Sequence, residues 1–175
     1  MNKPLFVISC PYDSYSGYGS RSRDLVKAII ETNKYEVKLL PQRWGNTPWG
    51  FCEDNPEWNF LHNHALNPTQ PNPQPDIWMQ ISVPNEFQPI GKYNIGCTAG
   101  IESTFCPGDW IEGINRMDMT LVSSEHSKKA IQDSVFEKRN KQTNALEGTV
   151  RLEKPLEVLF EGALLEIYQP IEWID

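Results

Sequence analysis

The sequence is short of positive charge, with 16 Lys and Arg against 23 Asp and Glu and a formal net charge of −7 over 175 residues. A nucleic-acid or anionic-membrane surface needs clustered cations, so neither partner is expected. Histidine is scarce as well, at three residues. His62-Asn63-His64 forms an H-x-H pair, but no third ligand is evident nearby, so neither a metal site nor a metal-dependent nuclease is expected. His126 reads as a first-turn helix residue. Cys10, Cys52, Cys97 and Cys106 include no C-x-x-C pair, which excludes a zinc ribbon or dithiol redox motif and suggests free thiols in a reducing compartment. Long apolar runs are absent. Leu5 to Ile8, after Met1-Asn2-Lys3-Pro4, is too short for a signal-peptide core or a membrane span, so a cytoplasmic protein is expected. No fixed-period repeat and no G-x-S-x-G, H-E-x-x-H or kinase signature occurs.

What is present suits one folded domain. Hydrophobic residues make up 39% and charged residues 22%, enough apolar surface for a core. Acid gathers near the end, where Glu153, Glu157, Glu161, Glu166, Glu172 and Asp175 face Lys154 alone. Leu5 to Ser9 has the unbroken apolar character of a strand buried on both faces. A Ser/Gly/Tyr-rich turn follows at Ser14 to Gly19. A helix capped at Ser20 or Ser22 then carries Leu25, Val26, Ala28, Ile29 and Ile30 at helical spacing. Tyr35 to Leu40 completes a β-α-β unit. Residues 41 to 76 collect Trp and Pro and read as a surface excursion, with a short helix from Asp54-Asn55-Pro56-Glu57 to about Ala65. Ile77 to Val83, Tyr93 to Thr98 and Met119 to Val122 are further strands. Ser123 or Ser124 caps a helix that points Ala130, Ile131 and Val135 inward. Phe136 to Leu156 reads as a projecting arm or hairpin, and Leu156 to Phe160 as a last strand. Alternating strands and helices predict an α/β doubly wound, mainly parallel sheet, with ligands beyond the carboxyl ends of its strands.

Three segments could carry chemistry. In Ser16-Gly17-Tyr18-Gly19-Ser20, glycines between a first strand and a helix either satisfy a tight turn or let backbone N–H groups approach an anion. The place after the first strand favours the anion. In Gly100-Ile101-Glu102-Ser103-Thr104, Glu102 is either a helix-start acid or a base toward a hydroxyl substrate, the first being the commoner use. In Asp109-Trp110-Ile111-Glu112, Trp110 could stack on a sugar face beside carboxylates, although a Trp opening an amphipathic helix is more often core.

These segments, taken in order, resemble a known family. Phe6 to Ile30, with Ser16-Gly17-Tyr18-Gly19 followed by Ser22-Arg23 and Leu25, is similar to the opening of GT4-like (group 1) glycosyltransferases. Ile77 to Ile131 carries Pro84-x-Glu86-Phe87, Gly100-Ile101-Glu102-Ser103, Trp110-Ile111-x-x-x-Asn115-x-Met117-Asp118 and Val122-Ser123-Ser124-Glu125-x-Ser127-Lys128, which resemble that family's blocks. Val158 to Gly162, with Ile167 to Pro170, resembles the end of its N-terminal domain.

The resemblance implies one half of a GT-B fold. Residues 1–170 would be the Rossmann-like N-terminal, acceptor-side domain, 171–175 the start of the interdomain linker, and the C-terminal donor-binding domain would be absent. It implies a retaining transfer of sugar from a nucleotide-sugar donor to a hydroxyl acceptor, without cofactor or essential metal. Gly17, Tyr18 and Gly19 would face the donor, with Glu102 as the catalytic candidate and Ser103 and Trp110 on the acceptor side. The family's basic pair and E-x7-E segment have no counterpart here, so the isolated domain is expected to be inactive and to self-associate through the face left by the missing half. The alternatives are a glycosyltransferase-like binding or structural protein without catalysis and a flavodoxin-like regulator, the latter disfavoured by the glycine loop's length.

Overall fold

The computed structural model describes residues 3–67, 73–140 and 142–163. Six strands form one parallel sheet: β1 (Leu5–Cys10), β2 (Glu36–Pro41), β3 (Ile77–Ile81), β4 (Tyr93–Cys97), β5 (Met119–Val122) and β8 (Leu156–Val158), in the order β2-β1-β3-β4-β5-β8. Phe6 of β1 pairs with Val37 on one side and Ile77 on the other. Outside β2, a single parallel bridge joins Leu39 to Ala65, fixed by Leu66 N–H donating to the Leu39 carbonyl at 2.8 Å. Counting that bridge as a one-residue strand gives two strands outboard of β1, as in the Rossmann arrangement. Without it, the sequence of strands is the flavodoxin-like one. In either case the chain reverses direction across the sheet between β1 and β3, where such folds form their crevice.

Helices cover both faces. Phe6, Ile8 and Cys10 of β1 enter one core beneath α1 (Gly17–Glu31), which also takes in Cys52 and Leu61 of the 41–67 excursion. Val7 faces the other core, formed with Ile111 and Ile114 of α3 (Gly108–Asn115) and Ile131 of α4 (Glu125–Asp133). Alternate burial of one strand on both sides explains the unbroken apolar run in the sequence.

Several expected boundaries move. The cap of α1 is Ser16, four residues before Ser20, the earlier of the two expected caps. The Ser16 hydroxyl accepts the Gly19 N–H at 2.9 Å, so Gly17, Tyr18 and Gly19 form the helix's first turn and not a loop before it. The excursion holds α2 (Phe51–Asp54) and a 3-10 helix (Pro56–His64), with Pro56 at the first position as expected. The Asn55 side chain donates back to the Phe51 carbonyl and does not cap. The excursion is also not wholly superficial, because Cys52 and Leu61 are fully buried. Ser124 caps α4 by accepting the Ser127 N–H, but the helix stops at Asp133 and leaves Val135 57% exposed, not inward. The expected arm is a hairpin of β6 (Phe136–Arg139) and β7 (Leu146–Val150), separate from the main sheet. Among the described residues no helix is long and apolar enough to cross a membrane, and all four cysteines are buried free thiols. The expectations for Ile167 to Pro170 and for the linker at 171–175 lie outside the described residues.

Candidate functional site

The first turn of α1 meets the carboxyl ends of β3 and β4 around a cleft of about 240 Å³. Gly17, Tyr18 and Arg21 form its helical wall, Ile81 and Cys97 its floor, and Thr98 and Ala99 the loop after β4. Trp44, just past β2, closes one side, and Glu161, just past β8, another. The size falls below the roughly 300 to 1,000 Å³ of drug-sized pockets, leaving room for a sugar ring or a phosphate and not for a whole nucleotide.

Tyr18 organises the wall. Its ring stacks on Trp44 with centroids 4.0 Å apart and planes at 25°. Its hydroxyl lies 3.0 Å from Thr98 Oγ1 and accepts the Ala99 N–H at 3.1 Å. Burial raises the phenol's pKa, while the Thr98 and Ala99 bonds pull it down. The tyrosine is therefore a neutral brace between α1 and β4. Among the described residues, Gly17 has no atom within 4 Å of where a Cβ would stand, and as a first-turn residue its N–H has no intrahelical acceptor. A small acceptor-rich ligand could reach that N–H at the positive end of the helix.

Gly19 has a different task. A Cβ there would lie 2.3 Å from the Ser14 carbonyl oxygen, so its glycine character serves close packing of α1 on the preceding turn. Beside it, Arg23 is buried, donates to the carbonyls of Tyr12 and Ser14 at 2.8 and 3.0 Å, and lies 3.5 Å over the Phe51 ring. Gly19, Ser22, Arg23 and Val26 form the buried stripe of α1. Apolar spacing alone hides this stripe, because two of its four members are polar.

The cleft's cation is engaged. Arg21 donates to the Leu159 and Phe160 carbonyls at 2.6 and 3.3 Å and lies 3.8 Å from Glu161. Burial pushes the Cys97 thiol up to about 11, with Arg21 opposing and Glu161 adding to the rise. Cys97 is thus a protonated floor group.

Glu102, Ser103 and Trp110 do not line the cleft. Glu102 and Ser103 are exposed; the Glu102 carbonyl faces His126 Nε2 at 3.2 Å, and the Ser103 hydroxyl donates to the Phe105 carbonyl at 2.7 Å. Trp110 is half-buried against the core on the opposite face of the sheet. The neighbouring motifs hold the fold together. Gly100 has φ 89°, and a Cβ there would meet Ser127 Oγ at 2.4 Å. Asp118 accepts from the Asn94 backbone and side-chain nitrogens at 2.8 and 3.1 Å. Arg116 donates to the Phe87 and Asn85 carbonyls.

Sequence reasoning missed Trp44, Thr98 and Ala99. Thr98 and Ala99 directly follow β4, so strand-end position marks them as much as it marks Gly100 to Thr104, just beyond. Trp44 had no such signal, because its approach to Tyr18 is a tertiary contact between the excursion and α1. Compared with known protein families, curated proteins and solved structures, the chain matches none.

Proposed function

We propose that this chain is the acceptor-side N-terminal domain of a retaining GT-B glycosyltransferase, moving a sugar from a nucleotide-sugar donor to a hydroxyl acceptor. The observation that carries this reading is the cleft between the first turn of α1 and the carboxyl ends of β3 and β4, where an aromatic platform, Tyr18 on Trp44, adjoins the open N–H end of α1 at Gly17. Sugar faces stack on aromatic rings, and phosphate or hydroxyl oxygens take helix-start N–H groups. Gly17 and Tyr18 then stand toward the transferred sugar or its phosphate, while Gly19 supports them from behind. Glu102 and Ser103, on the exposed loop after Thr98 and Ala99, remain the acceptor-side candidates.

A departing diphosphate needs cationic or dipolar stabilisation, and Arg21 is already held by Leu159, Phe160 and Glu161. Residues 1 to 175 alone are therefore expected to transfer no sugar at a measurable rate. The same engagement of Arg21 favours a second reading, a glycosyltransferase-like binding or structural protein without catalysis. Self-association belongs to both readings, since Leu159 and Phe160, 39% and 67% exposed, stand beside Arg21 at the cleft. Monomeric sedimentation independent of concentration would count against it.

Calorimetric titration of the chain with uridine-, guanosine- and adenosine-diphosphate sugars tests binding. Gly17→Leu fills the cleft from a position with open space around it, so affinity should fall at least tenfold, about 1.4 kcal/mol, with an unchanged circular-dichroism spectrum. If no nucleotide sugar or free sugar binds at millimolar concentration, the donor reading fails.

A further inference from the structure

Away from the cleft, the excursion brings together side chains that the sequence keeps far apart. Asp13 follows β1, Cys52 lies in α2 and His62 in the 3-10 helix, and one ligand atom from each falls within 4.8 Å of the others. We propose that Asp13, Cys52 and His62 bind one divalent transition-metal ion of the zinc type, a site separate from the Tyr18–Trp44 cleft and independent of any transferase reading. The expectation of no metal rested on His62-Asn63-His64 lacking partners. The fold supplies two partners for His62 and sends His64 elsewhere, its Nδ1 3.0 Å from the Val37 carbonyl.

The donor set suits that metal. Thiolate with imidazole selects zinc over magnesium or calcium, and a carboxylate completes a mixed S/N/O triad that leaves one tetrahedral position for water. Bond lengths near 2.0 to 2.3 Å put ligand atoms about 3.3 to 3.6 Å apart, so the triad must close by roughly 1 Å at its widest. His62 is exposed and can make that movement by side-chain rotation. Asp13 and Cys52 are buried and fixed. Asp13 Oδ1 accepts the Cys52 N–H at 2.7 Å, and the Asp13 carbonyl accepts the N–H groups of Gly50 and Phe51 at 3.0 and 3.1 Å. A ligating carboxylate held in this way has the support that metal sites give their ligands. The Tyr12 ring stands edge-on to His62, centroids 6.0 Å apart.

The charges balance. Burial first, and the facing Asp13 carboxylate second, keep the Cys52 thiol protonated, pushing it up to about 12. Metal binding forms an S–metal bond as the S–H bond breaks. The sulfur keeps the electron pair and the proton leaves to water past His62, so ion, thiolate and carboxylate together are neutral. Arg23 is the opposing group, a cation close enough to lower the Cys52 pKa. Its guanidinium is held by the Tyr12 and Ser14 carbonyls and the Phe51 ring, and these contacts stay in place when the metal binds.

The test uses the full 175-residue chain, stripped with a chelator and titrated with Co²⁺ alone, then with Zn²⁺. One equivalent of cobalt should bind with a near-ultraviolet thiolate-to-cobalt band that zinc abolishes. Cys52→Ser should lose the band, His62→Ala should weaken cobalt binding at least tenfold, and Cys106→Ser, a buried thiol in the other core, should change neither. Absence of a thiolate band, its survival in Cys52→Ser, or a His62→Ala affinity within about twofold of the parent would overturn the proposal and leave Asp13 as a brace for the start of α2. Should Cys52→Ser fail to fold, the exposed His62→Ala variant decides the matter.

Discussion

Gly17 and Gly19 stand two residues apart in one helical turn and do opposite things. Alanine at Gly19 forces a methyl to 2.3 Å from the Ser14 oxygen, an overpacking that should cost about 1 to 3 kcal/mol. Alanine at Gly17 meets nothing and gains helix propensity, so it should be neutral or stabilising by up to about 1 kcal/mol. Urea denaturation of both variants checks this, and equal losses would contradict the assignment. Arg23 is the other residue whose role only the fold reveals. Arg23→Ala removes the donor to two carbonyls and a cation over Phe51, and about 2 to 4 kcal/mol should be lost with it. The Ser-Arg-x-Leu pattern marked this arginine without telling its purpose. Its partners come from the turn preceding the helix, where no hydrophobic periodicity points.

Elements were legible where burial is two-sided and obscure where backbone chemistry decides. Strands β1, β3, β4 and β5 appear within two residues of the expected places, because inner strands of a parallel sheet keep a largely apolar sequence even where they take in a polar residue such as Gln80, Asn94 or Thr120. The start of α1 was misplaced because Ser16, Ser20 and Ser22 are all plausible caps. The choice of Ser16 depends on Gly19 fitting against Ser14, a contact outside the helix itself. The joint between α3 and the short 3-10 turn Pro84–Glu86 was likewise unreadable, since a Cβ on Gly113 would come within 1.8 Å of the Pro84 oxygen. Gly113→Ala must separate the two elements and should cost about 3 kcal/mol or prevent folding, measured as soluble yield and thermal midpoint. Ser124→Ala, by contrast, removes only the cap of α4 and should cost about 1 kcal/mol. If these two substitutions proved equivalent, the α3 joint would not be the tight contact described.

For the molecule as a whole, buried thiols set a response to alkali. Burial pushes Cys10 up to about 12 and Cys97 up to about 11, from an ordinary value of 9.0. A Ser22 hydrogen bond opposes the shift at Cys10, and Arg21 opposes it at Cys97. Because the folded pKa is raised, their contribution to stability is complete below about pH 9 and is lost as pH rises through 11 to 12. Urea midpoints should therefore be insensitive to these thiols near neutrality and fall above about pH 9, with a smaller fall in Cys97→Ala. A fall of the same size in that variant would remove Cys97 from the explanation. The arrangement of the sheet was legible as a class, parallel and doubly wound. The cleft was legible only as an edge, because Trp44 and Glu161 reach it from segments more than 100 residues apart in the chain.

The parallel register of β1 also governs how the chain reaches this state. Its two neighbours begin at Glu36 and Ile77, and β8 joins only at Leu156, so β1 cannot gain its second ladder until some 70 residues have been ordered around it. Loop-closure entropy must be overcome before those distant pairings repay it. Refolding should therefore run on the millisecond-to-second scale, with β1 and β2 protected from deuterium exchange before β8. During synthesis β2 leaves the ribosome well before β3, so the edge of β1 that faces β3 is the later of its two edges to be covered.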